Sequence, residues 1–126
     1  MAKYSSKVLD HFYNPRNPGE LESPDGVGVS GGSQERNFMR ITIRVEGDRI
    51  VDVRFQSYTC PVAIAACSLV TEIVRQKTLD EAISLTPEAV ADELGEIPEE
   101  RRDRCVLAVE ALRSAIADFK QKSLGK

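Results

Sequence analysis

Three cysteines and a single histidine are the side chains best suited to metal or sulfur chemistry in this chain. Cys60 follows Ser57-Tyr58-Thr59 and precedes Pro61, where a strand-type pattern gives way to a helix-type one. A cysteine at such a junction has free helix amides ahead of it, which favours the thiolate, the form that attacks electrophiles and binds soft metals. The plainer alternative is a structural cysteine at a helix cap. Cys105 falls on the apolar stripe of a predicted helix, where burial alone would account for it. Cys67 lies seven residues after Cys60, about 10 Å along a helix axis. One metal ion cannot span that gap with bonds of about 2.3 Å, so Cys67 reads as a small buried hydrophobe. His11 is expected to pack or to hydrogen-bond near Asn14-Pro15, and one histidine excludes a His-rich metal site.

Gly26-Val27-Gly28-Val29-Ser30-Gly31 matches G-x-G-x-x-G, the spacing that cradles dinucleotide phosphates. That fingerprint works between a strand and a helix N-terminus. Here a Pro-rich loop precedes it and a strand follows, so the amides and dipole that would hold phosphate are missing. The segment reads as a mobile glycine loop with a short strand at Val27-Gly28-Val29.

The elements that must position these residues follow from periodicity. Ser5 caps a short amphipathic helix through Lys7–Tyr13, stopped by Pro15 and Pro18. Residues 20–36 read as a loop. From Asn37 to Glu46, Met39, Ile41, Ile43 and Val45 alternate with polar residues, the period of a half-buried strand. Gly47-Asp48-Arg49 turns the chain, and Ile50 to Tyr58 returns antiparallel with Val51, Val53 and Phe55 inward. Pro61 then opens a nearly all-apolar, buried helix from Val62 to Gln76, with Cys60 at its cap. Thr78-Leu79-Asp80-Glu81 is a capping box. Thr86-Pro87-Glu88 opens a further helix that Gly95 ends. Pro98 is expected to start the last and longest helix, with the stripe Cys105, Ala108, Val109, Leu112, Ala115, Ile116 and Phe119. The charged run Glu99 to Arg104 reads as an exposed helix start, and the tail from about 121 to 126 as frayed. Strands first and helices after give an α+β fold: a small antiparallel sheet of about three strands packed against helices on one face.

Composition sets the outer bounds. With 126 residues, residues 1–126 fit one domain, at roughly 100–200 residues per domain. The formal charge of −3 argues against nucleic acid and anionic membrane, whose binders carry basic footprints. The odd cysteine count argues against a secreted disulfide scaffold. No apolar stretch approaches the roughly 20 residues of a membrane span, and no signal peptide is expected. A reduced, cytoplasmic protein is the expectation.

Val8-Leu9-Asp10-His11-Phe12-Tyr13-Asn14-Pro15-Arg16-Asn17 is an unusual string. With Ser57-Tyr58-Thr59-Cys60, Ala63-Ile64-Ala65, Ser68-Leu69-Val70-Thr71-Glu72, Lys77-Thr78-Leu79-Asp80-Glu81-Ala82 and the final-helix residues Ala111-Leu112 to Ala115-Ile116-Ala117-Asp118, it resembles the IscU/NifU-type iron–sulfur cluster assembly scaffolds, from about residue 4 to 122. The resemblance implies the fold of the NifU N-terminal domain and no enzymatic activity. It also implies a [2Fe–2S] cluster or iron as the bound species, with zinc as a substitute. Its partners would be a cysteine desulfurase and apo iron–sulfur proteins; a homo-oligomer is compatible with it.

The family's cluster site has three cysteines, an aspartate and a histidine. Carried over by position, its second cysteine matches Cys60 and its third matches Cys105. Its first falls on Glu35, its aspartate on Asn37 and its histidine on Arg104. Iron–sulfur clusters want thiolates, usually four. Glu35 is a harder oxygen donor, suited to zinc or ferric iron. Arg104 cannot ligate because the guanidinium stays protonated, though its charge could stabilise a thiolate or an anion. The family motif that recruits a dedicated chaperone is not preserved in Ile97-Pro98-Glu99-Glu100-Arg101, so that partner is not expected. Three functions remain in competition: a scaffold with Cys60, Cys105 and Glu35 holding metal or cluster; a persulfide relay on Cys60; and a module that binds partners without metal.

Overall fold

The alternation from Met39 to Glu46 forms a strand because Met39, Ile41 and Ile43 can then share one buried face. The structure is a computed structural model that describes residues 4–31, 38–57 and 60–124. Its elements are α1 (Ser6–Tyr13), β1 (Gly26–Ser30), β2 (Met39–Glu46), β3 (Arg49–Ser57), α2 (Pro61–Val74), α3 (Leu79–Ile83), α4 (Pro87–Leu94) and α5 (Asp103–Leu124). The strands form an antiparallel sheet in the order β1-β2-β3. α5 packs on β1 and β2, and α2 packs on β3 and α5, so the core lies between one sheet face and two helices. No helix among the described residues is long and apolar enough to cross a membrane.

The sequence pattern places Val53 and Phe55 of β3 inward correctly and misplaces Val51. Ile50 is fully buried and Val51 only half-buried. Val45 pairs with Ile50 and Arg44 with Asp52, which leaves Val51 as the extra residue of a β-bulge. One extra residue shifts the phase of a period-two pattern. Ile50 therefore faces in before the bulge, and Val53, Phe55 and Ser57 face in after it. Thr42 also departs from the alternation. It is buried on the opposite face, where its hydroxyl accepts the Leu21 amide at 3.2 Å.

The glycine segment is not a mobile loop. Gly26 and Gly28 belong to β1, and α5 lies directly on them. A Cβ on Gly28 would overlap the Ala111 carbonyl oxygen and the Ala115 amide. One on Gly26 would meet Phe119 Cβ at 3.1 Å as well as the Ala115 carbonyl. The glycines serve close strand–helix approach, with small residues Ala111 and Ala115 facing them from α5. Two side chains tie the layers: the Asp118 carboxylate accepts the Val27 amide at 2.8 Å, and the Ser30 hydroxyl donates to the Leu107 carbonyl at 2.7 Å.

The caps behave as the sequence requires. The side chains of Ser5, Thr78 and Thr86 accept amides at the starts of α1, α3 and α4, and Thr78 and Glu81 complete the capping box. The last helix begins later than Pro98. Pro98 precedes a short 3₁₀ turn, Glu99–Arg101, and α5 starts at Asp103. At its other end α5 continues to Leu124, through most of the tail expected to fray.

Candidate functional site

Cys60 is the N-cap of α2, with extended backbone and with Pro61 at the first helical position. Its sulfur accepts the Ala63 amide at 3.4 Å, and its carbonyl accepts the Ile64 amide at 3.1 Å. It is partly exposed, unlike the other two cysteines. A fourteen-residue helix begins here, so its positive dipole end lies against the sulfur.

The first turn of α5 faces this junction. The Arg104 guanidinium lies near the Cys60 side chain, which favours its charge. Its Nη1 donates to the Asp103 carboxylate at 2.6 Å, while Nε is buried without a partner. Burial opposes the guanidinium charge, but Asp103 and Cys60 outweigh it and hold its basicity above the ordinary value. Arg104 is therefore turned inward, with a side chain only 12% exposed, rather than part of a solvated charge run.

Cys105 points elsewhere. Successive residues of a helix are turned by about 100° from one another, and Cys105 is 1% exposed within the α2–α5 core. Burial pushes its thiol up to about 11, with Arg102 opposing that rise and Asp103 adding to it. Cys67 is fully buried, as expected of a small hydrophobe. Burial raises its thiol pKa far above the ordinary range, and Cys105 raises it further as an electrostatic neighbour. α5 thus offers Arg104 to Cys60 and Cys105 to Cys67.

Glu35 and Asn37 lie outside the described residues. Among the described residues, no three of His, Cys, Asp and Glu stand close enough to hold a metal ion.

His11 serves the fold. Its Nδ1 lies 2.8 Å from the Ser68 hydroxyl, and its Nε2 lies 3.7 Å from a Glu72 carboxylate oxygen. Ser68 also accepts the Arg16 amide at 2.9 Å, and Thr71 donates to the Arg16 carbonyl at 3.2 Å. Arg16 pairs with Asp10 at 2.7 Å, and the Phe55 amide reaches the Asn17 carbonyl at 3.0 Å. The Asp10–Asn17 string is therefore lashed to α2 and β3, beside the Cys60 junction. Ser68, Thr71 and Glu72 are its anchors. Their signal in the sequence was polar residues at helical spacing within an otherwise apolar run.

A NifU-like N-terminal domain model matches residues 3–126. The chain is 45% identical over 120 residues to the iron–sulfur cluster assembly scaffold protein IscU 1 of Archaeoglobus fulgidus, covering 95% of this chain and 78% of that one. It is 42% identical over 127 residues to the iron–sulfur cluster assembly scaffold protein IscU of Escherichia coli, covering 98% of both. A solved N-terminal part of a nitrogen-fixing NifU-like protein from Brucella abortus superposes with a TM-score of 0.73 at 18% identity, over 94% of each chain, which speaks to the fold.

Proposed function

The chain belongs to the NifU-like N-terminal domain family, and from that membership we propose that it is an iron–sulfur cluster assembly scaffold whose cargo is received at Cys60. Iron or a [2Fe–2S] cluster is the cargo, held by Cys60 with Glu35 and, once the start of α5 turns it from Cys67 toward Cys60, by Cys105. Zinc is a substitute on the same donors. The observation that carries the reading is the partly exposed Cys60 sulfur on the helix cap of a chain that matches IscU scaffolds along nearly its whole length. Cys105 must lose its proton before it ligates, so metal uptake through it is favoured at high pH. Two thiols are fewer than the four thiolates of a closed cluster site, which suits a cargo that leaves again. A cysteine desulfurase and apo iron–sulfur proteins are the partners in this reading, and the cytoplasm, where thiols stay reduced, is the compartment.

Anaerobic reconstitution with ferrous iron and sulfide tests it. The expected result is a visible chromophore and bound iron, both lost in Cys60→Ser. No chromophore, together with equal metal content in that variant, would sink the reading.

The Arg104 guanidinium beside Cys60 favours a second reading, a sulfur relay. The Cys60 thiolate attacks the terminal sulfur of a persulfide donor. A new S–S bond forms on Cys60, the donor S–S bond breaks, and the donor leaves as a thiol after taking a proton, with no net oxidation. Arg104 is placed to hold the anionic sulfur. Mass spectrometry after incubation with a desulfurase and cysteine would find one added sulfur on Cys60, whereas an unmodified protein argues against the relay.

A further inference from the structure

Cys67 is a nucleophile for which neither cargo binding nor sulfur relay at Cys60 has a use. It is fully buried in the middle of α2. Cys105, in the first turn of α5, is buried in the same core, α2 and α5 pack on each other, and the two thiols are electrostatic neighbours. Three free cysteines allow three pairings, and the geometry leaves one. Cys60 and Cys67 are seven residues apart on one helix, about 10 Å along its axis, whereas the Cα atoms of a disulfide lie within about 7 Å. Cys60 is met by Arg104, and the next residue of α5 is turned about 100° away, into the core, so Cys105 does not face Cys60.

Cys67 and Cys105 are neighbours across packed helices. Helix axes about 8–10 Å apart, with Cα atoms about 2.3 Å off each axis, bring facing Cα atoms to roughly 3.5–5.5 Å. That overlaps the range of about 4.4–6.8 Å in disulfides. Small side chains permit the approach: Ala63, one turn before Cys67, and Ala108, one turn after Cys105, share the respective helix faces and are fully buried. Access comes from the helix start. A single 3₁₀ turn, Glu99–Arg101, precedes α5, and helix ends open more readily than their centres. Opening there uncovers Cys105 while Cys67 stays in the core.

We propose that Cys67 and Cys105 form one oxidation site, which a hydroperoxide converts to a disulfide that clamps the start of α5 to α2. Cys105 loses its proton and its sulfur attacks one peroxide oxygen. The O–O bond breaks, the leaving oxygen takes up a proton, and Cys105 becomes a sulfenic acid. The Cys67 sulfur then attacks the Cys105 sulfur. An S–S bond forms, the S–O bond breaks, and the hydroxyl leaves as water with the Cys67 proton. Two thiols lose two electrons in all, and one hydroperoxide is reduced to an alcohol and water. Because Cys105 is buried in the resting fold, the reaction is slower than any at the partly exposed Cys60. The inference rests on this thiol pair and is independent of whether Cys60 takes up metal or sulfur.

Peptide mapping of the metal-free full chain after prolonged exposure to hydrogen peroxide tests it. Remaining thiols are blocked with iodoacetamide in denaturant, the chain is digested without reductant, and fragmentation in the mass spectrometer assigns the linked residues. The expected product joins Cys67 to Cys105 and disappears with dithiothreitol. Cys67→Ala, treated alike, gives no link to Cys105. The thermal midpoint of the wild type rises by several degrees on oxidation, because the bond closes a loop of about forty residues in the unfolded chain. Dithiothreitol reverses the rise, and Cys67→Ala shows none. Cys67 and Cys105 both still free after Cys60 has been oxidised would overturn the proposal. So would a dominant link from Cys105 to Cys60, or an oxidised wild type that unfolds at the reduced midpoint. The wild-type map and midpoint decide these outcomes without the variant.

Discussion

Gly28→Ala is the sharpest test of how β1 and α5 share space. The added methyl would fall within the van der Waals envelope of the Ala111 carbonyl oxygen and the Ala115 amide, with Ala115 Cα at only 3.0 Å. All three obstacles are backbone atoms, so no rotamer change relieves the overlap. Strand and helix would have to part by roughly 1 Å, and a gap of that size forfeits about a quarter to a half of each dispersion contact it opens. α5 carries Ala108, Leu112, Ala115 and Ile116 in the core, so the loss spreads beyond one residue. The ordinary gain from replacing glycine, about 0.4–1 kcal/mol, works the other way. Overpacking typically costs about 1–3 kcal/mol, and with backbone on every side the upper figure applies. A net loss of about 2–3 kcal/mol is expected, or roughly 10 °C in Tm for a chain of this size. Urea unfolding measures it, with Val29→Ala on the same strand as control, because Val29 is 43% exposed. A Gly28→Ala protein within about 0.5 kcal/mol of wild type, the scatter of ordinary surface changes, would refute the packing argument. It would also reopen the glycine segment as a loop.

Two further outcomes follow from the buried groups. Burial lowers the His11 pKa from 6.5, with Arg16 and Lys7 acting in the same direction and Glu72 and Asp10 opposing. The unfolded chain takes up that proton first, so His11's contribution to stability is complete above about pH 6.5 and is lost as pH falls toward the depressed folded value. His11→Asn should flatten the dependence of the urea midpoint below pH 6.5, and an unchanged slope would contradict this. For the thiols, iodoacetamide at about pH 8, near the usual cysteine pKa, should label Cys60 alone in the native protein. Cys67 and Cys105 should label only in denaturant, because both are buried and burial suppresses their thiolates. Peptide mass spectrometry reads the positions. Native labelling of Cys105 as fast as Cys60 would contradict its inward placement.

Local patterns carried most of the architecture. Ser5, Cys60, Thr78 and Thr86 mark helix starts because a capping side chain and the amides it meets are only two or three residues apart. The alternation of β2 and the three-and-four spacing of α5 likewise need nothing beyond neighbours. The bulge at Val51 escaped because one inserted residue changes phase without changing composition. Pro98 misled because proline fits the start of a 3₁₀ turn as well as that of an α-helix.

The sequence by itself determined most of the elements, the family and Cys60 at a strand-to-helix junction. Tertiary structure alone decided what surrounds that cysteine. Arg104 meets Cys60, and Cys105 meets Cys67, because α5 packs on α2 in one rotational setting, and consecutive residues of a helix cannot face the same neighbour. That setting depends on contacts between segments about forty residues apart and on an approach of α5 to β1, more than eighty residues away, that only glycine permits. No periodicity within either helix records it.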